Sequence, residues 1–216
     1  MRRNELIGVA LLVAGCGAPA STASTPALPP ARVTLDSTSA ALVPPNLGSK
    51  RQDEISIVLQ PAGVRATALP LDESVIRTLA PDSYRSLRGI LESKRRLIVQ
   101  RAQMRGVHDP RVWYLTFYGL APNARFVPTD LTVTSGGRDY RPFDVVPITA
   151  EFGSQRLQPR EQQAGLLLFD EAVDVNQPLV VTMGAERNTD WSNEGILGKI
   201  EEERTRIRSL AGRPKP

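Results

Sequence analysis

The chain of 216 residues holds one histidine, His108, and one cysteine, Cys16. Nucleophilic catalysis of the serine type needs a base beside its nucleophile and a third group to orient that base. His108 lies in Gly106-Val-His-Asp-Pro110, a turn-forming run with no nucleophile elbow beside it. A transition-metal site needs converging His, Cys or carboxylate ligands, and this inventory leaves carboxylates alone. Asp170, Glu171 and Asp174 cluster in one turn and could hold Ca²⁺ weakly. Asp at such positions also suits turn backbone, and the turn role is the expectation. No phosphate-cradling glycine loop and no dinucleotide fingerprint is present. The expectation is therefore a protein that is not an enzyme, with no metal and no cofactor. A glycosidase would need two carboxylates in one cleft, so a hydrolase acting on cell wall or glycan stays as a distant alternative.

The remaining chemistry belongs to arginines. Arg138, Arg141, Arg156 and Arg160 fall within or near residues 149–162, which read as the longest loop. Gathered at one end of the domain, they would bind an acidic partner or a glycan. Ordinary pairing with Asp139, Asp144, Glu151 and Glu161 is the competing use. The formal charge of +4 raises a nucleic-acid reading. The basic residues are spread rather than gathered, and only Lys50, Lys94, Lys199 and Lys215 are lysines, so no nucleic-acid partner is expected.

Met1-Arg2-Arg3 is a basic start, and Leu6 to Ala14 is a short apolar run that ends in Leu12-Val13-Ala14-Gly15-Cys16. A span of the bilayer needs roughly 18 or more apolar residues, so this run reads as an export signal. The Leu-Val-Ala-Gly-Cys sequence resembles the bacterial lipobox. That resemblance implies diacylglyceryl transfer to the Cys16 thiol, cleavage after Gly15 and acylation of the new amino terminus. It also implies stable membrane anchoring, since several acyl chains hold where one is marginal. Glu5 and the shortness of the apolar run depart from the pattern. Gly17, rather than Asp, after the cysteine resembles the sorting pattern for an outer membrane. The implied location is the cell envelope, lipid-anchored in the outer membrane and facing the periplasm or the cell surface.

From Gly17 to about Lys50, Ala, Ser, Thr and Pro dominate. Such a segment buries too little apolar surface to offset its ordering entropy and reads as a disordered tether. Glu54 to Gln60 alternates as a first strand, stopped at Pro61-Ala62-Gly63, and Val64 to Leu71 is expected to continue it after a kink. Asp72 caps a short helix, and Pro81 opens a longer one that ends at Gly106. Tyr84, Leu87, Ile90, Leu91, Leu97, Ile98 and Met104 share its apolar arc.

In Val112 to Tyr118, Trp113, Leu115 and Phe117 point one way and Tyr114, Thr116 and Tyr118 the other. Further strands follow at 131–134, 138–143, 145–148, 164–169 and 179–183, with a Gly136-Gly137 hairpin and Phe126 plugging one end. Ile196, Ile200, Ile207 and Leu210 mark a last helix, along which Glu201-Glu202-Glu203 reads as a solvated face and Glu202 as a partner for Arg206. Phe126-x-Pro-x-Asp130, the Gly-Gly hairpin before Tyr140, Leu157-x-Pro159-x-Glu161 and Gly165 to Asp170 together resemble an immunoglobulin-like sandwich of small bacterial secreted proteins. The resemblance covers roughly 111–184, supplies no catalytic residues and lacks the cysteine pair of true immunoglobulin domains.

The expected organisation is thus a signal peptide over 1–15 and a tether over 16–50. A β-sandwich follows over 51–184 with a helical insert at about 73–106, and a C-terminal amphipathic helix with its tail over 185–216. The expected fold is mainly β with helical additions. The expected role is a lipid-anchored, non-enzymatic envelope protein that binds or scaffolds another envelope component, protein or glycan. A secretion or outer-membrane assembly accessory is the narrower alternative.

Overall fold

The alternation of Trp113, Leu115 and Phe117, all fully buried, with Tyr114, Thr116 and Tyr118 is realised as a nine-residue strand. The computed structural model describes residues 42–212. Within them β1 (Ile57–Leu59) and β2 (Val64–Pro70) precede a short helix, α1 (Glu73–Ile76), and a long one, α2 (Pro81–Arg105). Then come β3 (Arg111–Gly119), β4 (Ala124–Arg125), β5 (Leu131–Ser135), β6 (Arg138–Tyr140) and β7 (Asp144–Pro147). The chain ends with β8 (Arg156–Leu157), β9 (Gln162–Phe169), β10 (Leu179–Met183), β11 (Glu186–Asn188) and α3 (Ile196–Ala211). The architecture is mainly antiparallel β with a few helices. One sheet has the order β1-β2-β3-β9-β7, a second β11-β10-β5-β6, and β4 pairs with β8.

The two larger sheets share one core. Trp113, Leu115, Phe117, Leu167 and Phe169 from the first meet Leu131, Val133, Val181 and Met183 from the second in one buried cluster. On the second sheet the alternation is clean: Leu131, Val133, Leu179 and Val181 are buried, while Thr132, Thr134, Val180 and Thr182 are half-exposed. Strand β9 differs, because Leu166, Leu167, Leu168 and Phe169 are all buried. A strand covered on both faces loses alternation. Its second face, with Val112, Tyr114 and Val146, is closed on the side of α2, which buries Leu87, Leu91, Ile98 and Ala102. Burial raises the Tyr114 phenol above its ordinary value. Helix α2 is tied to the edge strand by Arg101 Nη1 on Asp144 Oδ2 at 3.4 Å. Its last turn runs past that edge, so Met104 is exposed although it lies on the apolar arc.

Four expectations are corrected. Val64–Pro70 does not continue the first strand. Gly63, at φ +74°, reverses the chain, and Leu59 pairs with Ala66 in a hairpin. The reversal sets Ile57 and Leu59 opposite Ala68 and Ala66, and glycine takes the left-handed turn without a Cβ clash. Second, ordered structure begins well before residue 51. Val43 is buried, Lys50 N donates to Thr78 O at 3.1 Å, and Ala80 N donates to Lys50 O at 2.8 Å. The chain runs flush against the end of α1, where a Cβ on Gly48 would fall 2.4 Å from Thr78 and Leu79 backbone. Third, the sheet extends beyond residue 184. Gly184, at φ +60°, turns the chain into β11, which pairs with β10. Fourth, Glu203 is not on a solvated face but buried, and Arg206 pairs with it rather than with Glu202. The rest of the 1–50 signal and tether reading, Cys16 included, lies outside the described residues.

Candidate binding surface

Strand β3 gives the domain two poles. Nine residues at about 3.3 Å each set them on the order of 30 Å apart. The Arg111 pole also holds the 43–50 segment and α1, through Leu71 N donating to Val112 O at 2.8 Å and Arg77 Nη1 donating to Val43 O at 3.1 Å. The Gly119 pole holds the Gly63 turn and residues 154–161: Leu120 N donates to Gly63 O at 2.9 Å, and Arg160 N to Gly119 O at 2.9 Å.

The four arginines singled out in sequence divide between these poles. Arg138 pairs in register with Ser135, whose hydroxyl accepts from Asp174 N at 3.2 Å, beyond the exit of β9. Arg141 is exposed after β6, on the way to β7. Arg156 and Arg160 lie at the Gly119 pole. The separation has a topological cause. Between residues 140 and 144 the chain leaves the second sheet for the first, and β7 then carries it along β9 from Leu168 towards Gly165. The four therefore do not converge. Three of their four expected acidic partners are used elsewhere: Asp139 accepts from Thr134, Asp144 pairs with Arg101, and Glu161 accepts from Gln158 N and Gln163 Nε2. The Gln158 amide, then the Gln163 side chain, hold the Glu161 carboxyl below the usual range.

Residues 149–162 are a plug rather than an open loop. Ala150–Ser154 forms a 3-10 turn whose Phe152 is buried. The Phe152 ring lies 6.0 Å from that of Phe117 and 5.5 Å from that of Phe126, and Phe117 stacks on Phe126 at 4.1 Å. Gly165 makes room for it, since a Cβ there would sit 2.6 Å from the Phe152 ring.

The plug brings out a residue that sequence reasoning missed. In the two-stranded β4–β8 ribbon, Arg125 is the register partner of Arg156, and both are exposed. Like charges directly opposite each other on a ribbon repel. The two line an open depression of about 290 Å³ with Phe126, Val127, Ser154 and Gln155, and no carboxylate is in that lining. Arg65 projects nearby, in register with Tyr118. Six large apolar side chains are exposed among the described residues, and three of them, Tyr118, Leu120 and Val127, belong to this pole. Two-residue strands carry no periodic signal, so nothing in the sequence could have set Arg125 opposite Arg156.

The Arg111 pole has the opposite character. One cavity there, lined by Asp72, Asp109, Arg111 and Trp113 among others, is about 20 Å³, room for one water at most, and the open depression of about 560 Å³ that Arg138 lines includes a carboxylate, Asp174. Glu73 is buried and binds Arg77 Nε at 2.6 Å, Tyr84 Oη at 3.2 Å and the Arg88 guanidinium. Glu203 is buried and accepts from Ser49 N at 2.6 Å, Ser49 Oγ at 2.9 Å and Arg206 Nε at 2.8 Å. Arg206, with the Ser49 groups and against the cost of burial, keeps the Glu203 carboxyl below its ordinary range. Arg204 donates to Ser74 O and Asn176 Oδ1 and pairs with Glu201. These contacts tie the 43–50 segment, α1, α2 and α3 together. Asp170 and Asp174 accept from Ala172 N and Asn176 N at 2.9 Å each, as turn-stabilising side chains do. His108 is exposed in the turn between α2 and β3.

Among the described residues no three His, Cys, Asp or Glu side chains come together to hold a metal. Among them, too, no helix is long and apolar enough to cross a membrane. Comparison with protein-family models, with curated proteins and with solved structures finds no match to this chain.

Proposed function

We propose that this is a lipid-anchored, non-enzymatic envelope protein whose immunoglobulin-like β-sandwich binds another component of the envelope. The observation that carries the anchor is the Leu12-Val13-Ala14-Gly15-Cys16 sequence behind a basic start and a short apolar run. Acylation of Cys16 fixes the chain in the outer membrane, and the Ala/Ser/Thr/Pro-rich stretch lets the domain stand away from it. From Cys16 to Val43 the chain can extend at most roughly 90 Å. The two sheets closed over Trp113 support the sandwich reading, and the binding role is supported by the exposed Arg125–Arg156 pair.

Expressed in a diderm bacterium, the wild-type chain partitions with membranes and into the detergent-rich phase, and Cys16→Ser moves it to the aqueous phase. Unchanged membrane association of Cys16→Ser would contradict the anchor.

A further inference from the structure

We propose that the Gly119 pole is a seat for the phosphate groups of an anionic phospholipid surface. Arg125 and Arg156 take the phosphate oxygens, and Leu120 and Val127 enter the headgroup layer. The inference rests on the reading above only in needing a membrane within reach of the domain.

The arrangement of charge comes first. Arg125 and Arg156 face each other across β4–β8 with no carboxylate in the depression they line. An anion between them converts a repulsion into two charge-assisted contacts, and the planar guanidinium fork matches phosphate geometry. Ser154, whose Oγ lies 3.3 Å from Arg156 N, adds a hydroxyl to the same depression. Arg65 and Arg160 are further exposed bases at the same pole. Asp130, Glu151, Glu161 and, at the turn after β10, Glu186 lie at this pole. Glu161 is occupied by Gln158 and Gln163, so attraction comes from the local pair rather than from a large net field.

The apolar rim selects the lipid surface as the source of the phosphate. Leu120 and Val127 are 53% and 40% exposed, and Val127 lines the same depression as the arginines. Neighbouring apolar and basic side chains on one surface suit the boundary between headgroups and acyl chains. Ala124 and Leu157, the other register pair of the ribbon, are buried, so both of its strands are seated on the core.

The test uses the chain from residue 16 onward with Cys16→Ser, which keeps every residue of the buried core. Having no acyl group, it answers separately from the anchor reading. Cosedimentation is measured with vesicles of phosphatidylglycerol in phosphatidylcholine and with phosphatidylcholine alone. The expected result is binding to the anionic vesicles only, weakened on the order of tenfold or more in R125A/R156A and weakened also in Leu120→Ser. These side chains are exposed, and unchanged thermal unfolding of the variants verifies the fold. Equal binding by R125A/R156A and wild type overturns the proposal, as does the absence of binding to anionic vesicles. Binding of inorganic phosphate without binding of vesicles overturns the lipid source.

Discussion

The two poles of this domain use charged side chains in opposite ways. At the Arg111 pole, Glu73, Glu203 and Arg204 are buried and held by polar partners, those of Glu73 from the end of α1 and from α2, and those of Glu203 and Arg204 reaching more than a hundred residues along the chain. At the Gly119 pole, Arg125 and Arg156 are exposed and face each other. A buried charge without a partner is costly, so the first set must be internally satisfied and serves to join segments. The second set contributes nothing to cohesion and even opposes it slightly, which is the pattern of side chains kept for something outside the chain. Binding is therefore to be sought where the fold tolerates a local electrostatic penalty, not where its polar contacts are densest.

The largest expected effect lies in the Glu73 network. Glu73→Ala leaves Arg77, Arg88 and Tyr84 without their common acceptor, and chemical denaturation should show a loss of about 3–5 kcal/mol. A loss under 1 kcal/mol would mean that the pole is not held by this acid.

Glu203→Gln comes next, at about 1–3 kcal/mol. Faster hydrogen exchange should appear at the Ser49 and Lys50 amides, because Glu203 pins that stretch to α3. The same acid sets a pH dependence. Its folded carboxyl titrates below the unfolded value, which for Glu is about 4.3. Its stabilising contribution is therefore fully present above about pH 5 and is lost as the pH falls through the folded value. The difference in stability between wild type and Glu203→Gln should shrink on acidification below about pH 4.3. A gap that widens there would contradict the role of the carboxylate.

The smallest expected effect falls on the other pole. Arg125→Ala or Arg156→Ala should change stability by less than about 0.5 kcal/mol, as exposed substitutions do, with relief of repulsion making a small gain the favoured sign. A loss above 1 kcal/mol in either would show that the pair is structural and erase the contrast between the poles.

Much of the β architecture could be seen in the sequence because its periods are strong. Residues 112–118 alternate over a full strand, and the Gly136-Gly137 pair, at φ +56° and +77°, joins β5 to β6. What could not be seen depended on long-range pairing. Nothing local shows that Val64–Pro70 folds back on β1, since a kink and a reversal look alike until Leu59 meets Ala66. The Glu201-Glu202-Glu203 run looks solvated, yet only Glu201 and Glu202 are exposed, because the third faces Ser49 from 154 positions away. Of the four arginines near 149–162, Arg156 and Arg160 lie at the Gly119 pole, while Arg138 and Arg141 lie elsewhere. The partner that matters for Arg156 is Arg125, set by a two-residue ribbon. Short pairings of this kind are decided by the aromatic plug beneath them and leave no periodic trace.

The most direct measurement is hydrogen exchange of the Cys16→Ser chain from residue 16 onward, with and without phosphatidylglycerol-containing vesicles. The account predicts slowed exchange at residues 120–127 and 154–160, with residues 43–50 and α3 unchanged. Protection at the Arg111 pole, or none at the Gly119 pole, would contradict it.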